Sequence, residues 1–143
     1  MIFPYFKRNS TIILLQTLQK KERLYEENII HNLFEKGSSF YISPFKILYI
    51  NIAFNSCFPA KILISVPYKN FKKAVQRNYL KRLIKEAYRK NKNILYDSLN
   101  DSNNKIAFMI LYTGKIIMSY SEIENKIILI LQRLVKENEK IIK

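Results

Sequence analysis

The chain has 143 residues, 48% of them hydrophobic, and a formal net charge of +14. This length has room for one domain, and the hydrophobic content argues against disorder. A single cysteine excludes an internal disulfide and fits a reducing, cytoplasmic setting. No apolar run of roughly 18 or more residues is present to span a bilayer. The excess of positive charge predicts an acidic partner, either nucleic acid or an anionic membrane surface.

The start of the chain has neither helical nor strand periodicity. We interpret residues 1–18 as an N-terminal extension and residues 19–143 as a single domain. The basic pair Lys7–Arg8 and the apolar run Ile12–Leu15 resemble a signal peptide only faintly. The run is short, and no small-residue cleavage site follows it.

A first helix is predicted over residues 22–36. Apolar residues from Leu24 to Phe34 recur at helical spacing, and Gly37 stands where a helix C-cap belongs.

Two segments typical of β-strands follow, both rich in isoleucine and the first also in tyrosine and phenylalanine. The first covers residues 40–54 and is expected to break near Pro44, and the second covers residues 61–66 and ends at Pro67. A turn over residues 55–59 separates them. The sheet is therefore expected to have two or three strands before the next helix.

The rest of the chain is predicted to contain a basic helix, a loop, a strand and a final helix. The helix is expected over residues 71–91, the polar, turn-rich loop over 93–104 and the strand over 105–112. Ser121 and Glu124 resemble a capping box for the final helix. Its apolar face has residues at helical spacing, namely Ile123, Ile127, Ile130, Leu131 and Leu134. The predicted fold is α+β, with the order α, two or three β, α, β, α.

The segment from Lys69 to Lys92 concentrates the positive charge. It carries ten basic residues and one acid, Glu86, so it accounts for +9 of the net charge of +14. Like charges one helical turn apart repel one another, and a bound polyanion would neutralise them. The pattern therefore predicts a helix that binds nucleic acid. Six cations recur at every fourth position and wind slowly along one side of the helix, namely Lys69, Lys73, Arg77, Lys81, Lys85 and Arg89.

This segment resembles the signature of the bacterial ribonuclease P protein subunit. The resemblance covers about residues 18–137 and is most specific in the pattern RNxxKRxxKE, which begins at Arg77 and ends at Glu86. The Ala74–Val75 pair lies just upstream of it. Three other segments also fit, namely KKERL at Lys20–Leu24, the end of the first helix at Phe34–Gly37, and KILY at Lys46–Tyr49.

The resemblance implies both a fold and a function. The fold is an α/β sandwich of order αβββαβα, in which the basic helix joins two parallel strands by a left-handed crossover, against the usual right-handed rule. The function is that of the protein subunit of ribonuclease P. Such a subunit binds the catalytic RNA and the 5′ leader of precursor tRNA and assists removal of the leader. The RNA subunit carries the catalytic Mg²⁺, so the resemblance implies no cofactor held firmly by the protein.

The residues themselves offer no catalytic machinery. His31 is the only histidine, and neither a Cys/His cluster nor a GxxxxGK phosphate loop is present. We therefore expect neither a catalytic residue nor a metal ligand in this chain, and we interpret His31 as a surface or partly buried residue.

Nine residues are candidates for contact with RNA. Guanidinium groups offer phosphate oxygens a planar fork, ammonium groups offer a point charge, and the asparagine amide can hydrogen-bond to RNA. The alternatives are a solvated helix face for the cations and an internal hydrogen bond for the asparagine. The candidates are Lys69, Lys72, Lys73, Arg77, Asn78, Lys81, Arg82, Lys85 and Arg89.

Three residues are candidates for contact with the leader. In the family the leader lies in a cleft between the sheet and its helices, lined by aromatic residues. Phe34 and Tyr49 match aromatic positions of that cleft, and Ile30 stands where the family often has phenylalanine. Aromatic side chains bind single strands by stacking, without strong sequence preference. The alternative is that these residues belong to the ordinary core.

Four positions depart from the family pattern. Tyr68 stands in place of a lysine, Lys72 in place of a glycine and Tyr79 in place of an arginine, while Tyr112 stands where many members have an arginine. Tyr68 and Tyr79 can stack on bases or ribose, so the RNA contact would survive in altered form. Glu86 is expected to pair with Arg82, Lys90 or the first helix.

Three other classes of protein remain as alternatives. A generic RNA-binding or ribosome-associated protein shares the basic, glycine-poor composition. A helix-turn-helix DNA reader would need two adjacent helices, whereas strands flank the basic helix here, so no DNA partner is expected. A peripheral membrane protein would need a larger apolar helix face, so no membrane partner is expected.

Overall fold

The computed structural model describes residues 18–142, so the extension predicted over residues 1–18 lies, except for its last residue, outside the described residues. Within these residues a mixed four-stranded sheet carries four helices, and one 3₁₀ turn, Lys20–Glu22, precedes them. The sheet order is β1-β2-β4-β3, with β3 and β4 parallel and the other two pairs antiparallel. The strands are β1 (Ser38–Ile42), β2 (Phe45–Asn51), β3 (Ala60–Ser65) and β4 (Ile106–Tyr112), and the helices are α1 (Glu27–Lys36), α2 (Ala74–Asn91), α3 (Asn93–Ser102) and α4 (Tyr120–Ile142).

The strand predictions are confirmed. The segment from residue 40 divides at Pro44 into the antiparallel strands β1 and β2, so three strands precede the basic helix. The basic helix α2 lies in the connection between the parallel strands β3 and β4, as predicted. The left-handed crossover stays a prediction from the resemblance.

The first helix begins at Glu27, five residues later than predicted, and ends where predicted. Gly37 serves a different purpose from the left-handed cap that usually selects glycine. Its φ of −71° is extended, and its N–H donates to Leu33 O at 3.0 Å. A Cβ atom at this position would lie 2.3 Å from that same carbonyl oxygen. Glycine is therefore required here by the close approach of the helix backbone.

The prediction of a loop over residues 93–104 was wrong, because most of this segment forms helix α3. Leu95, Tyr96 and Leu99 lie on one side of a helical turn and are buried. Asn103 ends the helix in the left-handed conformation, with a φ of 57°. The polar, turn-forming residues at the end of this segment therefore belong to the C-terminus of the helix. With α3 included, the order of elements is αβββααβα.

The capping box of the last helix also differs from the prediction, because it lies two residues earlier. Ser119 Oγ accepts a hydrogen bond from Glu122 N, and Glu122 Oε1 accepts one from Ser119 N, both at 3.3 Å. Ser121 and Glu124 lie within α4, which begins at Tyr120.

The two faces of the sheet have different partners. One face, which we call the covered face, carries Phe45, Ile47, Tyr49, Phe108 and Ile110 and packs with residues of α2, α3 and α4. The opposite face, which we call the α1 face, contacts α1 and is much less extensively covered. Its strand residues alternate with those of the covered face and include Lys46, Leu48, Ile50, Met109 and Leu111.

Candidate nucleic-acid interface

Helix α2 packs one side against the covered face and turns its cations away from the core. Leu80, Ile84 and Ala87 are fully buried and Leu83 is partly buried. Tyr88 is wholly buried as well, with its ring edge-on to Phe108 at 5.8 Å. The anchored side leaves about half of the helix circumference for charged groups.

The nine candidate RNA-contact residues fall on two elements. Helix α2 begins at Ala74, three residues later than predicted, so Lys69, Lys72 and Lys73 lie in the segment before the helix. All three are exposed. The other six lie on α2, where Asn78 and Arg82 are exposed and the rest are half-buried, namely Arg77, Lys81, Lys85 and Arg89.

A cluster of like charge forms along one edge of α2. Burial, together with the positive charges of Arg23 and Lys81, lowers the pKa of Lys85. Arg23 reaches this cluster because its backbone pairs with Ile62 beside the outer edge of β3. We call Lys81, Arg82 and Lys85, with Arg23 beside them, the cationic ridge. Such a ridge favours binding of a polyanion.

Arg77 has a structural contact that the sequence did not predict. Its Nη1 donates to the carbonyl oxygens of Phe71 at 2.8 Å and Lys72 at 2.9 Å, which ties α2 to the segment before it. Its guanidinium also lies over the ring of Tyr68, 5.3 Å from the centroid.

Arg89 is held by a neighbouring carboxylate. Glu86 accepts hydrogen bonds from Arg89 Nε at 3.1 Å and Nη2 at 2.5 Å, which lowers the pKa of Glu86. Lys90 Nζ lies 3.9 Å from the same carboxylate, so the predicted pairing with Lys90 is confirmed. Arg82 instead lies over the ring of Tyr79, 5.7 Å from the centroid.

A buried ion pair fixes the segment that carries Arg23. Glu22 is fully buried, and its Oε1 accepts hydrogen bonds from Lys92 Nζ and from the Tyr96 hydroxyl, both at 2.5 Å. Lys92 lies at the junction of α2 and α3, and burial lowers its pKa even though Glu22 acts in the opposite direction. The pair joins residues 70 positions apart, a distance at which the sequence gives no local signal.

The structure brings two of the three leader candidates together and separates the third. Ile30 and Phe34 are one turn apart on α1, and Phe34 is 58% exposed. Ile30, Leu48 and Leu111 pack around one apolar cluster on the α1 face, and Leu48 takes the place expected for Tyr49.

Tyr49 lies on the covered face instead. Its ring packs against Phe40 at 5.8 Å, and its hydroxyl donates to Glu137 Oε1 of α4 at 3.0 Å. Burial, and then the carboxylate of Glu137, raises the pKa of Tyr49. Successive strand residues point to opposite faces, so the position next to Leu48 cannot share its surface.

Neither a metal cluster nor a membrane-spanning helix is found over residues 18–142. No group of three or more His, Cys, Asp or Glu side chains there could hold a metal ion. His31 is exposed, and its Nε2 lies 2.8 Å from Glu35. Within the same residues, every helix is too short or too polar to cross a bilayer.

These features define a small basic α+β protein of the nucleic-acid-binding type, with a cationic helix between two parallel strands. Its sequence matches the Ribonuclease P family over residues 18–135. The chain belongs to the ribonuclease P protein family. It is 38% identical to the ribonuclease P protein component of Porphyromonas gingivalis over 96 residues, 66% of this chain and 70% of that protein. It is 34% identical to that of Petrotoga mobilis over 122 residues, 83% of this chain and 96% of that protein.

Solved structures share the fold. The ribonuclease P protein of Staphylococcus aureus superposes with a TM-score of 0.63 at 20% identity, over 79% of this chain and 94% of that one. The protein of Thermotoga maritima gives a TM-score of 0.62 at 23% identity, over 78% of this chain and 96% of that one. The α+β fold predicted from the sequence is therefore confirmed.

Proposed function

We propose that this chain is the protein subunit of ribonuclease P. It binds the catalytic RNA subunit and the 5′ leader of precursor tRNA, and it assists endonucleolytic removal of the leader in the cytoplasm. The observation that carries this proposal is the family match over residues 18–135, in which the most specific pattern lies on the cationic helix α2. The relatives from two different bacteria are themselves named ribonuclease P protein component.

The cationic ridge is proposed to hold the backbone of RNA. Lys81, Arg82 and Lys85 lie along one edge of α2, outside its buried side, where ammonium and guanidinium groups can reach phosphate oxygens. Lys69, Lys72 and Lys73 extend the same charge to the N-terminus of α2, whose amide groups also favour phosphate. Asn78 and Arg89 are proposed as further contacts along the helix.

The α1 face is proposed to hold the leader. Ile30 and Phe34 present apolar surface on α1, and Leu48 and Leu111 continue it on the sheet. Tyr41 and Lys46 are exposed and directly opposite each other on β1 and β2 of the same face. Apolar and aromatic side chains flanked by a cation bind unpaired nucleotides with little dependence on sequence.

The contribution of the protein is then electrostatic. An RNA enzyme and its RNA substrate repel each other, and Mg²⁺ at the RNA subunit relieves only part of that repulsion. A chain of net charge +14 between the two RNAs would relieve more, so the reaction would need less Mg²⁺. The chemistry belongs to the RNA subunit, and this chain binds and orients.

Reconstitution tests the proposal. The purified chain is mixed with the ribonuclease P RNA of its own source, and cleavage of a labelled precursor tRNA is followed at low Mg²⁺ concentration. The chain should stimulate cleavage, and the double variant Lys81→Ala, Lys85→Ala should lose most of that stimulation.

A matched control removes the same charge from another helix. The double variant Lys136→Ala, Lys140→Ala on α4 should keep the stimulation. RNA binding without any stimulation of cleavage would overturn the proposal and leave a generic RNA-binding protein.

A further inference from the structure

Two exposed tyrosines on the cationic side of the molecule are each stacked under an arginine. Tyr68 is 64% exposed, with the Arg77 guanidinium 5.3 Å from its ring centroid. Tyr79 is 42% exposed, with the Arg82 guanidinium 5.7 Å from its ring centroid. Aromatic residues and arginine are both enriched at the surfaces where proteins meet their partners.

The two rings lie on different edges of the cationic ridge. Arg77 and Tyr79 are two residues apart on α2, which separates them by roughly 200° around the exposed side of the helix. Tyr68 lies beside Arg77, and Tyr79 lies on the other flank, with Lys81, Arg82 and Lys85 in the arc between them. An RNA strand bound along the cationic ridge would therefore meet an aromatic ring on either side.

The ring next to Arg77 is held in advance of binding. The hydrogen bonds from Arg77 to the Phe71 and Lys72 carbonyl oxygens fix the guanidinium in place. A fixed guanidinium fixes the ring that it covers, so less conformational entropy is lost when a second planar group stacks there. A guanidinium and a nucleobase both stack on an aromatic face, and one ring can carry both.

We propose that Tyr68 and Tyr79 are stacking sites for unpaired nucleobases of the RNA bound along α2. The inference rests on the proposed function and adds to it a base contact beside the phosphate contacts of the ridge. A tyrosine ring brings no charge, so its contribution must come from stacking.

The test compares ring removal with charge removal. Stacking on an aromatic side chain contributes about 5- to 150-fold in affinity per base. Tyr79→Ala and Tyr68→Ala should each weaken binding of the RNA subunit or of precursor tRNA by a factor in this range. Tyr79→Phe, which keeps the ring, should recover most of the loss.

The salt dependence separates stacking from an ionic role. The slope of log Kd against log salt concentration should stay unchanged in Tyr79→Ala, because no phosphate contact is lost. Lys85→Ala should lower the slope by about one. Leu129→Ala removes a side chain of similar exposure, 48%, from α4 and should leave affinity as in the wild type.

Two binding measurements, the two arms of the test, identify which RNA provides the stacked base. Binding of the free RNA subunit is measured first, and binding of precursor tRNA to the assembled holoenzyme is measured second. A loss in the first arm assigns the base to the RNA subunit, and a loss confined to the second assigns it to the precursor.

Wild-type affinity in both arms for both alanine variants would overturn the inference. If Lys85→Ala still weakens binding in that case, the proposed function stands. Failure of the wild-type chain to bind the RNA subunit would instead overturn the proposed function.

Discussion

Individual residues in this protein have roles that their local sequence does not reveal, and Glu22 is the clearest case. It lies in a short stretch of charged residues, yet its side chain is fully buried against Lys92 and Tyr96. A buried charge is tolerated only when it is paired and hydrogen-bonded. By pairing with Glu22, Lys92 holds the 3₁₀ turn Lys20–Glu22 in place and so keeps Arg23 close to Lys85.

Removing one member of this pair should be more harmful than removing both. Lys92→Met leaves a buried carboxylate without its ion-pair partner and should lower the free energy of unfolding by about 3–5 kcal/mol. The double variant Glu22→Met, Lys92→Met should lose less than the sum of the single variants. Urea unfolding of the wild type, the two single variants and the double variant measures the coupling energy. Strictly additive losses would show that the two side chains do not interact.

The sequence predicted some helices and strands correctly and missed others. The strands and α2 were predicted because their apolar residues follow one clear period. Helix α3 was not, because its exposed positions carry the Asn, Ser and Asp residues that also form turns. The leader surface was only partly predicted, since Ile30 and Phe34 follow helical spacing. The face of Tyr49 depends on the register of β2, which the hairpin at Pro44 sets.

This register gives a prediction for β2 and α1. Phe34→Leu should weaken binding of precursor tRNA by about 5- to 150-fold through lost stacking, with little effect on stability because the ring is exposed. Tyr49→Leu should keep that affinity and lower the free energy of unfolding by about 1–3 kcal/mol, because it disturbs the core and the hydrogen bond to Glu137. Affinity is measured for precursor and for mature tRNA lacking the leader.

Only the difference between the affinities for precursor and mature tRNA reports on the leader. If Tyr49→Leu abolished this difference in affinity and Phe34→Leu left it unchanged, the leader would not lie on the α1 face.

Across the whole molecule, three further carboxylates are paired: two join separate parts of the fold, and one pairs within a helix. Glu26, at the start of α1, pairs with Lys61 of β3, and Glu137 of α4 accepts hydrogen bonds from Arg133 and the Tyr49 hydroxyl. Glu86 pairs with Arg89 on α2. Hydrogen bonds from Lys61, Arg89 and Arg133 hold the pKa of their respective carboxyl groups below the usual range.

These lowered pKa values predict a loss of stability in acid. An unfolded glutamate binds its proton at about pH 4.3, whereas the three folded carboxylates still resist protonation there. The unfolded state therefore binds more protons, and the free energy of unfolding should fall as the pH drops from about 5 through the folded pKa values. Thermal unfolding across this range measures the slope.

The triple variant Glu26→Gln, Glu86→Gln, Glu137→Gln serves as the comparison. It should be less stable near neutral pH and should change less on acidification. An identical slope in both proteins would show that these groups do not carry the effect.

The alternation of side chains along β2 has a consequence for how the protein can change over generations. Ile47 and Tyr49 face the core, whereas Leu48 and Ile50 face α1. A single strand thus carries two interleaved sets of positions, one constrained by folding and the other by whatever the α1 face contacts. Substitutions in the second set can follow drift in the sequences of bound RNAs without a matching change in the core.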